Sequence, residues 1–111
     1  MSYTAPFATL PLTFYVRFVD LETLLVSFQR DVTIAQATTI ANWVLAASAS
    51  GPQPASIPSI ASIAVASDDS TATATIAMRY VMKLSSPLLC DQPYQYQLTA
   101  SGISDAFGNS L

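Results

Sequence analysis

The stretch PYQYQLTASGISDAFGNSL, residues 93–111, decides how the chain is read. Its first half alternates without error: Tyr94, Tyr96, Leu98 and Ala100 fall on one face, Gln95, Gln97 and Thr99 on the other. A period of two marks a strand with one buried and one wet face. Its second half carries Asp105, Gly108 and Asn109, residue types shared by catalytic loops, calcium loops and ordinary turns. A turn in which the Asp105 side chain accepts backbone N–H groups, with Gly108 at positive φ, accounts for all three. Calcium is the competing reading, because Asp31, Asp105, Asn109 and backbone carbonyls all offer oxygen. DAFGNS nevertheless lacks the alternate-position ligands and closing glutamate of an EF-hand loop. The turn is therefore the expectation.

The same rhythm recurs upstream. In TFYVRFV, residues 13–19, Phe14, Val16 and Phe18 oppose Tyr15 and Arg17. Asp20, Leu21 and Glu22 read as a tight turn, and TLLVSF places Leu24, Val26 and Phe28 together, so residues 13–28 predict a hairpin. Between Gln29 and Trp43 the spacing changes to three, through Ile34, Ala37 and Ile40. That spacing predicts one or two helical turns around residues 35–42, then a short strand WVLAA. Trp43 is expected to plug the core, since no second exposed aromatic accompanies it as a stacking platform.

SASGPQPASIP, residues 48–58, is a loop. Ile60, Ile63 and Val65 change face midway, which predicts a bulge or bend. After a turn at SDDS, residues 67–70, TATATIAMR reads as a half-buried strand with Ala72, Ala74, Ile76 and Met78 inward. LSSPLLCDQP, residues 84–93, is a connection anchored by Leu84, Leu88 and Leu89. The expected core is Phe14, Val16, Phe18, Leu24, Val26, Phe28, Trp43, Ile76, Tyr96 and Leu98. About seven short strands with turns between them define the expected fold class: all-β, an immunoglobulin-like β-sandwich with one short helical turn near residues 35–42.

Composition excludes several functions. Only 10% of residues are charged, and the four basic ones, Arg17, Arg30, Arg79 and Lys83, are scattered singly, so no patch for nucleic acid can be drawn. Histidine is absent, which removes the commonest general base and transition-metal ligand together. The single cysteine, Cys90, excludes an internal disulfide and reads as a small hydrophobe near a turn. Asp68 and Asp69 are adjacent, so they would face apart in a strand or both be solvated in a turn, unlike a glycosidase pair. No GxSxG occurs. No cofactor and no small-molecule substrate are expected. No apolar run approaches the roughly 18 residues of a membrane span, and MSYTAPFATLPLTF has no positive n-region, so no membrane partner and no export signal are expected.

With these elements in place, LETLLVSFQRDV, ATTIANWVL, DDSTATATIAM and PYQYQLTASGISDAFGNSL together resemble the Ig-like domains of bacterial surface and S-layer proteins. Such domains also occur in structural proteins of tailed bacteriophages. The resemblance covers residues 20–111 and is most specific at its end. It implies a tyrosine corner at Tyr94, with the hydroxyl returning to backbone in the preceding turn. The domain is expected at residues 13–111, behind a proline-punctuated arm at residues 1–12 that the family pattern lacks; the arm reads either as a disordered tail or as an extended segment whose Tyr3, Phe7 and Leu10 are apolar anchors for a partner.

The expected function is a non-enzymatic virion subunit, a capsid decoration, cement or tail-associated protein that packs on other virion proteins and on itself. The alternative is a carbohydrate- or host-surface-binding adhesin module at the bacterial cell surface. Low charge favours packing among neighbours. Since Leu111 follows the last turn at once, the final sheet edge is expected to be short or completed by a neighbour.

Overall fold

The computed structural model describes residues 12–106 and 108–111. Tyr3, Phe7 and Leu10 of the expected arm lie outside the described residues; Leu12, its last residue, is buried in the core. Six strands form among the described residues: β1 (Phe14–Phe18), β2 (Thr23–Thr33), β3 (Trp43–Ala47), β4 (Ile60–Val65), β5 (Ile76–Leu84) and β6 (Tyr96–Ala100). They build two antiparallel sheets, one of four strands in the order β1-β2-β5-β4 and one of two, β3-β6. The fold is all-β.

Between β2 and β3 lie one turn of helix, α1 (Ile34–Ala37), and a 3₁₀ turn at Ile40–Asn42. The helix stops because two threonines bond backwards: the Thr38 and Thr39 hydroxyls donate to the Ile34 and Ala35 carbonyls at 2.7 and 2.6 Å. Such local bonds compete with continuing the helix.

The core lies between the sheets. Leu24, Val26 and Phe28 from β2 meet Ala77, Tyr80, Met82 and Leu84 from β5, with Trp43, Leu88 and Ile103 closing over them. Phe14 and Val16 are half-buried against this cluster, as are Tyr96 and Leu98.

Two core expectations are corrected. Phe18 is 47% exposed, because alternation points it towards an open groove shared with Leu21, Leu88, Tyr94 and Tyr96 rather than into the closed core. Ile76 is only half-buried, because Ala77 and Tyr80 take the buried positions of β5. The strand expected from Thr71 starts five residues later, at Ile76. Side chains hold the intervening residues in a folded loop instead. The Asp69 carboxylate accepts N–H groups of Thr71, Met78 and Arg79 at 3.1, 3.0 and 3.1 Å, and the Thr73 hydroxyl accepts that of Ile76 at 3.2 Å. Ala74, expected inward, is exposed.

Both long strands carry an irregularity. The register of β2 on β5 shifts between Ser27 and Val32, and that of β4 on β5 shifts between Ile60 and Ser62. The β4 bulge is the change of face visible at Ile60, Ile63 and Val65 in the sequence. The β2 bulge lets the strand run on to Thr33, where Thr33 N–H donates to the Ser104 carbonyl at 3.3 Å and Val32 bridges to Asp105. In this way the C-terminal turn is stitched to the far end of the larger sheet.

Candidate functional site

Two ends of the sandwich concentrate the polar and aromatic side chains. At one end Phe14, Phe28, Trp43 and Tyr80 form a closed cluster. Ring centroids are 5.3 Å apart for Phe14 and Trp43, 6.0 Å for Phe28 and Trp43, and 5.9 Å for Phe28 and Tyr80, all edge to face. Their polar tips are satisfied inward. The Trp43 indole N–H donates to the Ala37 carbonyl at 2.8 Å, and the Tyr80 hydroxyl donates to the Ala77 carbonyl at 3.0 Å. Burial first, then the nearby Asp31 and Asp69 carboxylates, push the Tyr80 phenol far above its ordinary range, so it remains a neutral donor.

The C-terminal turn is bolted to this end. Gly108 has φ 85°, the left-handed conformation glycine adopts without strain. Asp105 accepts the Asn109 backbone N–H at 2.9 Å and the Arg30 Nε–H at 2.8 Å, with no side-chain exposure of its own. The Gln36 side-chain oxygen accepts the Ser104 N–H at 3.0 Å. Asp105 is therefore occupied by a cation and a turn, and among the described residues no group of three or more acids or cysteines is placed to hold a metal ion. Arg30 was invisible as a partner in the sequence, standing 75 positions from Asp105 with no local signal.

At the opposite end the aromatic residues line an open groove of about 470 Å³, formed by Phe18, Asp20, Leu21, Leu88, Tyr94 and Tyr96. Its floor is held by backbone: Leu88 N–H donates to the Leu21 carbonyl and Leu84 N–H to the Glu22 carbonyl, both at 2.8 Å. The Asp20 carboxylate is spent on the turn itself, accepting the Glu22 N–H at 2.8 Å, which holds that carboxyl below its ordinary range. Tyr94 and Tyr96 stand edge to face at 6.3 Å.

The tyrosine whose hydroxyl returns to the preceding connection is Tyr96, which donates to the Leu89 carbonyl at 2.9 Å. This corrects the assignment of that role to Tyr94. Tyr94 lies outside β6, its phenol raised first by desolvation and then by the Asp91 carboxylate. The sequence offered two tyrosines at the strand start and no local feature to choose between them. Leu21, exposed in the middle of a turn, was the available sign of an apolar surface here.

The remaining chemistry-bearing groups do not converge. Asp68 pairs with Arg79 at 3.3 Å on the exposed surface, Asp69 is engaged with backbone, and Cys90 is exposed rather than packed as a small hydrophobe. Asp31 has one buried carboxylate oxygen without a partner; desolvation, then Asp69, raises its pKa. No helix of the described residues is long and apolar enough to cross a membrane.

No protein-family model matches the chain, and no curated protein matches it. Among solved structures it is similar to the N-terminal part of the bacterial S-layer protein SbsC, with a TM-score of 0.66 and 19% sequence identity. The match covers 93% of this chain and 22% of that one, so this chain spans about a fifth of that structure. At this identity the likeness speaks for the fold.

Proposed function

We propose that the protein is a non-enzymatic structural module that works by packing against neighbouring subunits in a repeating protein coat. The observation that carries this reading is the surface. Only 10% of residues are charged, while Tyr15, Phe18, Val19, Leu21, Val44 and Ile57 remain exposed. An apolar, weakly charged surface loses little on desolvation and gains by contact. Many identical contacts, repeated by symmetry, then sum to a mechanically stable layer.

The S-layer likeness of the fold supports a bacterial surface coat as the setting. The finer placing, a decoration, cement or tail-associated subunit of a tailed-bacteriophage virion, rests on the sequence resemblance alone. Sedimentation at rising protein concentration tests the common part. Association that grows with concentration and persists in high salt is expected, because apolar contact is not screened by salt. A chain that stays monomeric throughout and instead binds glycans would sink the packing reading in favour of an adhesin module.

A further inference from the structure

One side of the sandwich is left open among the described residues. The Phe14–Trp43 contact, with Trp43 opposite Ala100, and the shared groove of Phe18 with Tyr94 and Tyr96 place β1 alongside β6. Yet β1 pairs only with β2 and β6 only with β3 among the described residues. Two strand edges therefore flank a seam whose inward side chains, Phe14, Val16, Tyr96 and Leu98, are only half-buried. The seam ends in the apolar groove. It has the aromatic lining and, among the described residues, the unpaired strand edges for an extended apolar segment.

We propose that this seam and groove receive residues 1–11 of a second copy of the chain, an inference that rests on the packing function above. MSYTAPFATLPL has no charged side chain, so its entry desolvates no ionised side chain. Pro6 and Pro11 favour an extended, polyproline-like backbone, the form that aromatic-lined grooves accept at low entropic cost. Eleven extended residues span up to roughly 36 Å, ample for an intermolecular reach.

The entry of the chain into β1 favours a second copy over the same one. Leu12 is buried and the Thr13 carbonyl accepts the Gln29 N–H, which fixes the entry to β1 at the Trp43 end of the seam. The groove lies at the other end, beyond Phe18. An arm that ran on in line with β1 would meet a neighbour's groove before its own. Each copy then gives one arm and receives one, a head-to-tail contact that closes into rings or extends into filaments.

The test uses the full-length chain, an arm variant, Phe7→Asp, and a groove variant, Phe18→Asp, each checked for folding by circular dichroism. Sedimentation or light scattering should show wild-type mass rising with concentration and each variant alone associating more than ~10-fold more weakly, as expected for a central aromatic anchor. An equimolar mixture should make dimers and stop there, since it holds one working arm and one working groove. A free peptide of residues 1–12 should dissolve the wild-type assembly. Tyr94→Ser replaces Phe18→Asp if the latter does not fold. Association of both variants equal to wild type would overturn the arm contact and leave the packing function standing on another face. A folded wild type that remains monomeric would overturn both.

Discussion

The two ends of the sandwich use the same residue types for opposite ends. At the closed end Phe14, Phe28, Trp43 and Tyr80 touch one another, and the Trp43 and Tyr80 donors are spent on backbone carbonyls. At the open end Phe18, Tyr94 and Tyr96 surround a groove, with Phe18 nearly half exposed. The difference lies in cover. α1, the 3₁₀ turn and the C-terminal turn cap the first cluster, whereas only the turn at residues 19–22 and the connection after β5 frame the second. An aromatic residue stabilises a fold only where something is packed on its other side.

The sharpest way to break this contrast is Trp43→Ala. It removes the ring that two edge-to-face contacts share and empties a cavity, so a loss of about 3–5 kcal/mol is expected from urea unfolding. A loss no larger than that of a groove substitution would show the closed end to be less closed than its geometry. Asp105→Ala comes next. It removes the carboxylate that the Arg30 Nε–H donates to and undoes the turn at Asn109, and removing one partner of a buried pair costs on the order of 3 kcal/mol. Hydrogen exchange should then rise first at Val32, Thr33 and Ser104.

Tyr96→Phe probes the tyrosine tie of the open end. It deletes the bond to the Leu89 carbonyl and should cost about 1 kcal/mol by the same unfolding measurement. A Tyr94→Phe control at the same strand start should cost less. Equal losses would return the backbone tie to Tyr94.

Acid should act on the closed end with two opposite signs. Asp69 is partly buried, which raises its pKa, but donations from the Met78 and Arg79 N–H groups and the Thr71 hydroxyl outweigh this and hold it below 3.8. Its contribution is therefore present above the unfolded value and lost as pH falls through the folded one. Asp31 is raised, so its contribution is present below 3.8 and lost as pH rises through its folded pKa. Asp31→Asn should thus stabilise slightly at neutral pH, and Asp69→Asn should flatten the fall in stability below pH 4 in thermal melts at stepped pH.

What was legible in the sequence follows from locality. Alternation in residues 14–18, 24–28 and 96–100, and the threefold spacing before Trp43, are local signals that match strands and helical turns in the structure. Phe18 shows where alternation stops: it names a face and says nothing of whether a second sheet reaches that far. The Thr-Ala alternation at residues 71–75 misled because Asp69 and Thr73 offer the backbone other partners than a ladder. The Asp105 turn could be read from its residue types, but its tie to Arg30 spans the chain and leaves no local mark. Tyr80, fully buried, carried no more signal than its half-buried neighbours, since the β2 bulge sets which residues of β5 face inward.

The smallest expected effect is also the most telling. Phe18→Ser removes a large apolar side chain, and at the closed end such a change would cost several kcal/mol. Here the side chain is almost half exposed and packs on no closed layer, so the unfolding free energy should move by less than about 1 kcal/mol. If stability holds while self-association weakens, the residue is kept for contact between molecules. If stability falls as far as it does for Trp43→Ala, the groove is core, and the distinction between the two ends collapses.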